Sequence, residues 1–352
     1  MNMMCRFVAV VSAALVAVPL LAGSAKAQEF PKNILTGGPN GTYIQIGRDL
    51  SREMARCGLT LNVRESAGSL ENFLGVRSRR HTQFGIVQSD VLEYLRTYAS
   101  EDRNIARAIA GVRIMAPLYN EEVHILAKRE ISSLSDLTGR RVAVGVEDSG
   151  TFLTASLVLD LAGIAPSERL TISAGDSLSR LLAGKIDAFF YVAGAPTKLF
   201  QNEEISAEKF HLLQINDETL KAVYLPAQVP AGTYPFQTDA VDVVAVKAVL
   251  MTYEYVPRRN QYHRQSCKAV SDLAHVLLTR FRVLQDSGHA KWKNVDLGNL
   301  PPGWQVSECV SAGLAEDYQL DCGQPASGAT SPSIENEANE AYRSRICAAI
   351  GC

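Results

Sequence analysis

The sequence lacks the signatures on which most enzyme and nucleic-acid readings depend. No G-x-G-x-x-G follows a strand, no G-K-[ST] follows a Gly-rich loop, and no G-x-S-x-G elbow occurs. GGPNG at 37–41 is not the dinucleotide fingerprint. The six histidines are scattered without H-E-x-x-H or i, i+4 spacing, and no C-x-x-C pair offers zinc ligands. His124 sits inside an apolar stretch and reads as a satisfied structural residue. Charge of one sign is also missing: 35 Lys and Arg against 37 Asp and Glu give a net charge of −2, which favours no nucleic-acid partner. The basic clusters (Arg77, Arg79 and Arg80; Arg140 and Arg141; Arg258 and Arg259) are short and read as solvated faces. What is present is an ordinary globular composition, 47% apolar and 20% charged over 352 residues, and that length favours two domains.

Residues 1–27 read as a targeting segment. Arg6 supplies a positive start, Phe7 to Ala22 an apolar core, and Ala25-Lys26-Ala27 a small-residue cleavage site. The apolar run falls short of the ~20 residues a membrane anchor needs, and Cys5 precedes it, which excludes the lipid-bearing cysteine of a bacterial lipoprotein. A periplasmic protein starting near Gln28 is expected, with 33 basic against 37 acidic residues. Export makes disulfides the favoured state of the six remaining cysteines, Cys57, Cys267, Cys309, Cys322, Cys347 and Cys352. Six allow 15 pairings; local staples such as Cys309–Cys322 or Cys347–Cys352 are natural guesses.

The chain is organised around Arg141 to Ile164, RVAVGVEDSGTFLTASLVLDLAGI. Val142 to Val146 reads as a buried strand, Glu147-Asp148-Ser149-Gly150 as a turn, and Thr151 opens an apolar helix that closes at Gly163. A helix entered in this way points its first, unpaired amides outward, a seat for a carboxylate or phosphate. A single copy could be an ordinary turn with an N-cap serine. Asn33 to Gly58, NILTGGPNGTYIQIGRDLSREMARCG, is a second copy, with Gly41-Thr42-Tyr43 matching Gly150-Thr151-Phe152. Downstream, GSLENF (68–73) leads to FGIVQSD (84–90), as GDSLSRLL (175–182) leads to GKIDAFFYVAGAP (184–196). Two half-chains built alike predict two α/β lobes facing one ligand.

In open α/β sheets ligands bind beyond the carboxyl ends of strands. Those ends are Thr36-Gly37-Gly38, Gln88-Ser89-Asp90, Glu147 to Gly150, and Ala193-Gly194, all small or polar. Glu122 to Lys128 reads as a strand crossing into the second lobe, and 241–256 as a long strand or strand pair returning to the first. The expected organisation is 28–118 plus 228–300 in lobe I, 119–227 in lobe II, and a cysteine-containing extension over 301–352. Pro301-Pro302-Gly303 marks the expected end of the globular part, and 323–339 reads as a loose linker.

The motifs ILTGGPNGTY, SAGSLENF, FGIVQSDV, LYNEEVHILAK, SLSDLTGRRVAVGVEDSGT, GKIDAFFYVAGAPT and VPAGTYPFQ, in this order, resemble the TAXI-type substrate-binding proteins of TRAP transporters, over about Ile34 to Leu297. The resemblance implies a type II periplasmic-binding-protein fold with a ligand cleft between two lobes. It implies a carboxylate-bearing ligand such as glutamate or a related dicarboxylate, and delivery to a TRAP membrane permease. By matching motif, the cradle would comprise Gly41, Thr42 and Tyr43; Ser69 and Asn72; Gln88, Ser89 and Asp90; Ser149, Gly150 and Thr151; Ala193 and Gly194; and Tyr234. Ile44 stands where that family commonly has a second tyrosine, and Phe236 where its loop usually has glycine.

No Arg clamp stands among these residues. Helix N-termini contribute roughly 0.3–1 kcal/mol each, up to ~2 when partly buried, and hydrogen bonds to a charged group about 1.5–3 each. Two helix ends and four such bonds give roughly 7–16 kcal/mol, against about 8 for micromolar binding. Asp90 opposes a carboxylate; it either pairs with a ligand amine or caps its own helix, the favoured reading. Tyr43 and Tyr234 are each core residues or ligand stackers. No cofactor, metal or catalytic residue is expected. The rival to a permease-coupled binding protein is a ligand-binding sensory or docking protein without its own permease.

Overall fold

A computed structural model of the chain describes residues 31–39 and 41–320. The targeting segment, the linker, Cys322, Cys347 and Cys352 lie outside the described residues, and so does the Cys347–Cys352 staple. In chain order the elements are β1 (Asn33–Leu35), α1 (Thr42–Arg56), β2 (Asn62–Arg64), α2 (Ser69–Ser78), β3 (Thr82–Gln88), α3 (Val91–Tyr98), α4 (Arg103–Gly111) and β4 (Val112–Lys128). Then come β5 (Arg141–Ala143), α5 (Gly150–Leu161), β6 (Glu168–Leu170), α6 (Ala174–Leu182), β7 (Ala188–Ala193), β8 (Phe210–Leu212), α7 (Glu218–Val223) and β9 (Leu225–Val229). The chain closes with β10 (Val241–Tyr253), α8 (Gln261–Ser287) and α9 (Glu308–Leu314).

The repeat seen in the sequence is a repeat of strand order. One half of the sheet runs β2-β1-β3-β10-β4, and the other runs β6-β5-β7-β4-β8. In each half the first strand is parallel to the second and third, and the fourth is antiparallel to both its neighbours. This is the two-lobe α/β fold of type II binding proteins. β4 serves both halves: Val112 to Glu122 pair with β10, and Glu122 to Ala127 pair with β7. The long strands β4 and β10 join the halves: β10 pairs with β9 over Val241 to Ala245 and with β3 over Ala248 to Met251. The expected boundaries at 118/119 and 227/228 fall inside β4 and β9.

Helix α1 forms because Tyr43, Ile46, Leu50 and Met54 make an apolar stripe at helical spacing, and all four are buried. Helix α5 is apolar nearly all round and is packed accordingly, with Leu153 to Leu159 buried; Gly163 just beyond it takes φ 66°, a left-handed position that glycine occupies without strain. The stretch 241–256 holds one strand rather than a pair, since no turn residue interrupts Val241 to Tyr253.

Two expectations about the end of the chain are corrected. Folding does not stop at Pro301. Trp304 Nε1 donates to Ser89 O at 3.1 Å, Ile114 N donates to Gln305 O at 2.8 Å, and α9 packs on α8. Cys309 pairs with Cys267, not Cys322: α9 folds back along α8 and brings the two Cα atoms to 5.3 Å. Sequence proximity is a poor guide to pairing when a helix returns across the body.

Candidate functional site

A cavity of about 290 Å³ lies where the two halves meet, at the carboxyl ends of β1, β3 and β7 and against the starts of α1 and α5. Its wall from the first half includes Gly37, Gly38, Gly41, Thr42, Tyr43, Gly68, Ser69 and Gln88. The second half contributes Gly145, Ser149, Gly150, Thr151, Ser173, Tyr191 and Ala193 together with the apolar Val146, Ala174, Phe190 and Val192, and Glu121 of the crossing strand also lines it. The two Gly-Thr-aromatic helix starts therefore share one space.

The two seats are not equivalent. Gly41, the N-cap of α1, has no side chain to cap with, and no side chain among the described residues caps the first turn of α1. At α5 the Ser149 hydroxyl accepts from Phe152 N at 3.1 Å and donates to Val146 O at 2.7 Å, which commits it as a cap. Thr151 Oγ1 accepts from Val192 N at 3.1 Å, tying α5 to β7. Ser69 Oγ accepts from Gln88 N at 3.0 Å, which holds the start of α2 to the end of β3.

The halves touch around the cavity. Leu70 N and Glu71 N, at the start of α2, donate to Asp148 O across the gap at 3.1 and 3.4 Å. The α2 N-terminus is thus occupied by the opposite half. Gly68 makes the approach possible: its φ is 134°, and a Cβ there would lie 3.3 Å from Ser149 Cα and Gly150 N.

Of the sequence-selected residues, Gly41, Thr42, Tyr43, Ser69, Gln88, Ser149, Gly150, Thr151 and Ala193 line the cavity. The other five stand behind it. Asn72 is buried and spans Thr36 O (2.5 Å), Ile86 O (2.7 Å) and Ser66 Oγ (2.6 Å), fastening α2 to the strands. Ser89 bonds through its backbone to Lys247 and Trp304. Gly194 packs against the Lys291 side chain. Tyr234 is a core residue: its hydroxyl meets His124 Nε2 at 2.8 Å and its ring packs on Phe200 and Phe236. His124 is held from the other side by Tyr191 O, and burial pushes its pKa down to about 4, so it is neutral.

Asp90 corrects the capping reading. It precedes α3 but has helical φ and ψ of −76° and −3°, whereas a capping residue is extended, and its side chain makes no cap bond. Its Oδ2 instead accepts from Thr154 of α5 at 2.9 Å and from Tyr224 at 3.2 Å, both from the opposite half. Oδ1 is buried without a hydrogen-bond partner among the described residues. Burial pushes the Asp90 pKa up to about 7, against the pull of those two hydrogen bonds.

Glu121 was missed from sequence. It is 4% exposed, and the Tyr43 hydroxyl donates to its Oε2 at 2.7 Å. Burial pushes its pKa up to about 8, opposed by hydrogen bonds from Tyr43 and Gln88. A signal existed: Asn120-Glu121-Glu122 interrupts an apolar strand midway, where β4 passes from one half to the other. Among the described residues lining the cavity none is Lys or Arg, and Glu121 is the sole carboxyl. No group of His, Cys, Asp or Glu among the described residues is placed to hold a metal ion.

The profile of the NMT1-like family matches residues 34–264, from β1 into α8, which is most of the chain. The chain belongs to the NMT1-like family. Both helix starts and Glu121 lie inside the matched span. Among solved structures, this NMT1-like chain is similar to one described as a periplasmic transporter, at 13% identity and a TM-score of 0.45, covering 92% of this chain and 97% of that one. It is also similar to MatC from Rhodopseudomonas palustris with bound malate, at 15% identity and a TM-score of 0.44, with 72% and 88% covered. The periplasmic binding protein BugD is similar at 10% identity and a TM-score of 0.42, with 69% and 82% covered. No helix among the described residues is long and apolar enough to cross a membrane.

Proposed function

We propose that this NMT1-like chain is an extracytoplasmic solute-binding protein that captures a small carboxylate between its lobes and delivers it to a membrane permease of the TRAP type. The observation that carries the reading is the shared cavity of the two Gly-Thr-aromatic helix starts, with α1 left uncapped toward it. Its volume of about 290 Å³ suits a molecule of a few carbons. The TRAP assignment rests on the resemblance of the sequence motifs to TAXI-type proteins, and export on the targeting segment at 1–27. The two halves joined by β4 and β10, divided near the expected bounds 118/119 and 227/228, are the lobes that would close on the ligand. The nine cavity-lining residues selected from sequence are the proposed contacts, with Asn72, Ser89, Asp90, Gly194 and Tyr234 supporting them from behind.

Calorimetric titration with mono- and dicarboxylates tests the reading. Thr42→Val keeps the shape of the α1 seat and removes one hydroxyl donor, worth about 1.5 kcal/mol toward a charged group, so roughly tenfold weaker binding is expected. Equal affinity of wild type and variant would remove Thr42 from the site, and failure of every acid to bind would refute the function.

A further inference from the structure

The cavity contains a feature at odds with a simple anion site. A buried carboxyl, Glu121, stands in its wall, and no Lys or Arg among the lining residues offsets it. The nearby cation is Lys291, whose Nζ lies 3.7 Å from Glu122 Oε2 and 5.7 Å from the Tyr119 ring centroid, so it serves the neighbouring carboxylate from outside the lining. Beyond burial, Glu122, next in the strand, raises the Glu121 pKa by its charge and Lys291 lowers it, while the remaining groups facing Glu121 are uncharged. Tyr43 on α1 donates to it, Gln88 reaches it from β3, and Tyr119 of its own strand and Tyr191 of β7 lie beside it, with burial raising the pKa of each tyrosine. An ionised Glu121 would place a second negative charge beside a ligand carboxylate in a space of about 290 Å³.

We propose that Glu121 contacts the ligand as a neutral acid, donating its carboxyl hydrogen to the bound anion, so that each anion is captured together with one proton. The Tyr43 hydroxyl, by donating to Oε2, leaves the carboxyl hydrogen to be presented elsewhere. Below pH ~8 Glu121 already holds the proton and keeps it on release; above that pH the proton is taken from solvent on binding and returns to it on release, and no bond other than O–H is made or broken. The proposal rests on the carboxylate-binding reading and deepens it: the ligand needs no ammonium group, and its affinity is linked to pH. With the free carboxyl titrating at about 8, an anion that binds only the protonated form loses about tenfold in affinity from pH 7 to pH 9.

The test is calorimetry of the full exported chain with acetate, succinate and 2-oxoglutarate, whose carboxyls stay ionised over that range, and with L-glutamate in parallel. The best amine-free binder is then titrated at pH 7 and pH 9, in two buffers of different ionisation enthalpy. The wild type should bind it about tenfold less tightly at pH 9, with uptake approaching one proton per ligand there. Glu121→Gln should bind more weakly at pH 7, change less than twofold between the two pH values, and take up no proton. A flat wild-type profile without proton uptake overturns the proposal but leaves the carboxylate site standing. Binding of L-glutamate alone, abolished in Glu121→Gln, also overturns it, because an ionised Glu121 would then be pairing with the ammonium. If no acid binds at either pH, both readings fall.

Discussion

Replacing Asp90 by Asn should stabilise the protein at pH 8. Asp90 is held between the halves of the fold, with Oδ2 satisfied by Thr154 and Tyr224 and Oδ1 buried without a hydrogen-bond partner among the described residues. Its folded pKa of about 7 lies above the ordinary aspartate value of ~4. Below pH ~4 the carboxyl is protonated in both states, and its protonated form is the one the folded protein prefers. As pH rises toward 7 the unfolded chain releases the proton first, and stability falls by about 1.4 kcal/mol per pH unit, up to roughly 4 kcal/mol in all. Above pH 7 that penalty is complete. Asn keeps an oxygen for Thr154 and Tyr224 to donate to and carries no charge, so Asp90→Asn should gain roughly 2–4 kcal/mol over wild type at pH 8 and little or nothing at pH 4. The lower end allows for opening of the halves, which would wet the ionised side chain. Urea denaturation of both proteins from pH 4 to pH 8 measures this. His124 and Glu121 titrate in both proteins, so the difference between the curves isolates Asp90. An Asn variant less stable than wild type at pH 8, or a difference that does not grow with pH, would refute the buried-charge account.

Other outcomes follow from the same geometry. Reducing Cys267–Cys309, or the double Ser variant, should cost up to about 4 kcal/mol by freeing a loop of separation 42, read as a lower midpoint in denaturation. Ser149→Ala removes the α5 cap and should cost about 1 kcal/mol of stability; an unchanged melting curve would show that the cap is dispensable. Gly68→Ala should disfavour the approach of the halves, since φ of 134° strains any L side chain and a Cβ would crowd the Ser149 backbone at 3.3 Å. Small-angle scattering should then show a more open average shape than wild type. His124, neutral with a pKa of about 4, should make stability fall as pH drops below the ordinary histidine value of ~6.5, an effect absent in His124→Gln.

Much of the architecture was legible because it is local and doubled. Strand, glycine turn and helix recur at Asn33 to Gly58 and at Arg141 to Ile164, and periodicity reports such units directly. The cavity wall was legible for a related reason, since strand ends and helix starts in a parallel sheet converge on one edge. What escaped depends on contacts distant in sequence. Asp90 looks like a helix cap until Thr154 and Tyr224, 64 and 134 residues away, are brought against it. Glu121 looks like one polar residue in a strand until α1 folds over it. The return of α9 onto α8, which decides the Cys309 pairing, leaves no periodic trace at all.

The central claim is that one anion touches both helix starts at once. Amide chemical shifts of a deuterated, nitrogen-15-labelled sample, followed while a bound carboxylate is titrated in, test it most directly. The account predicts that Thr42 and Tyr43 N–H and Gly150 and Thr151 N–H move together and saturate at one ligand concentration. Movement at one helix start alone, or saturation at two different concentrations, would contradict it.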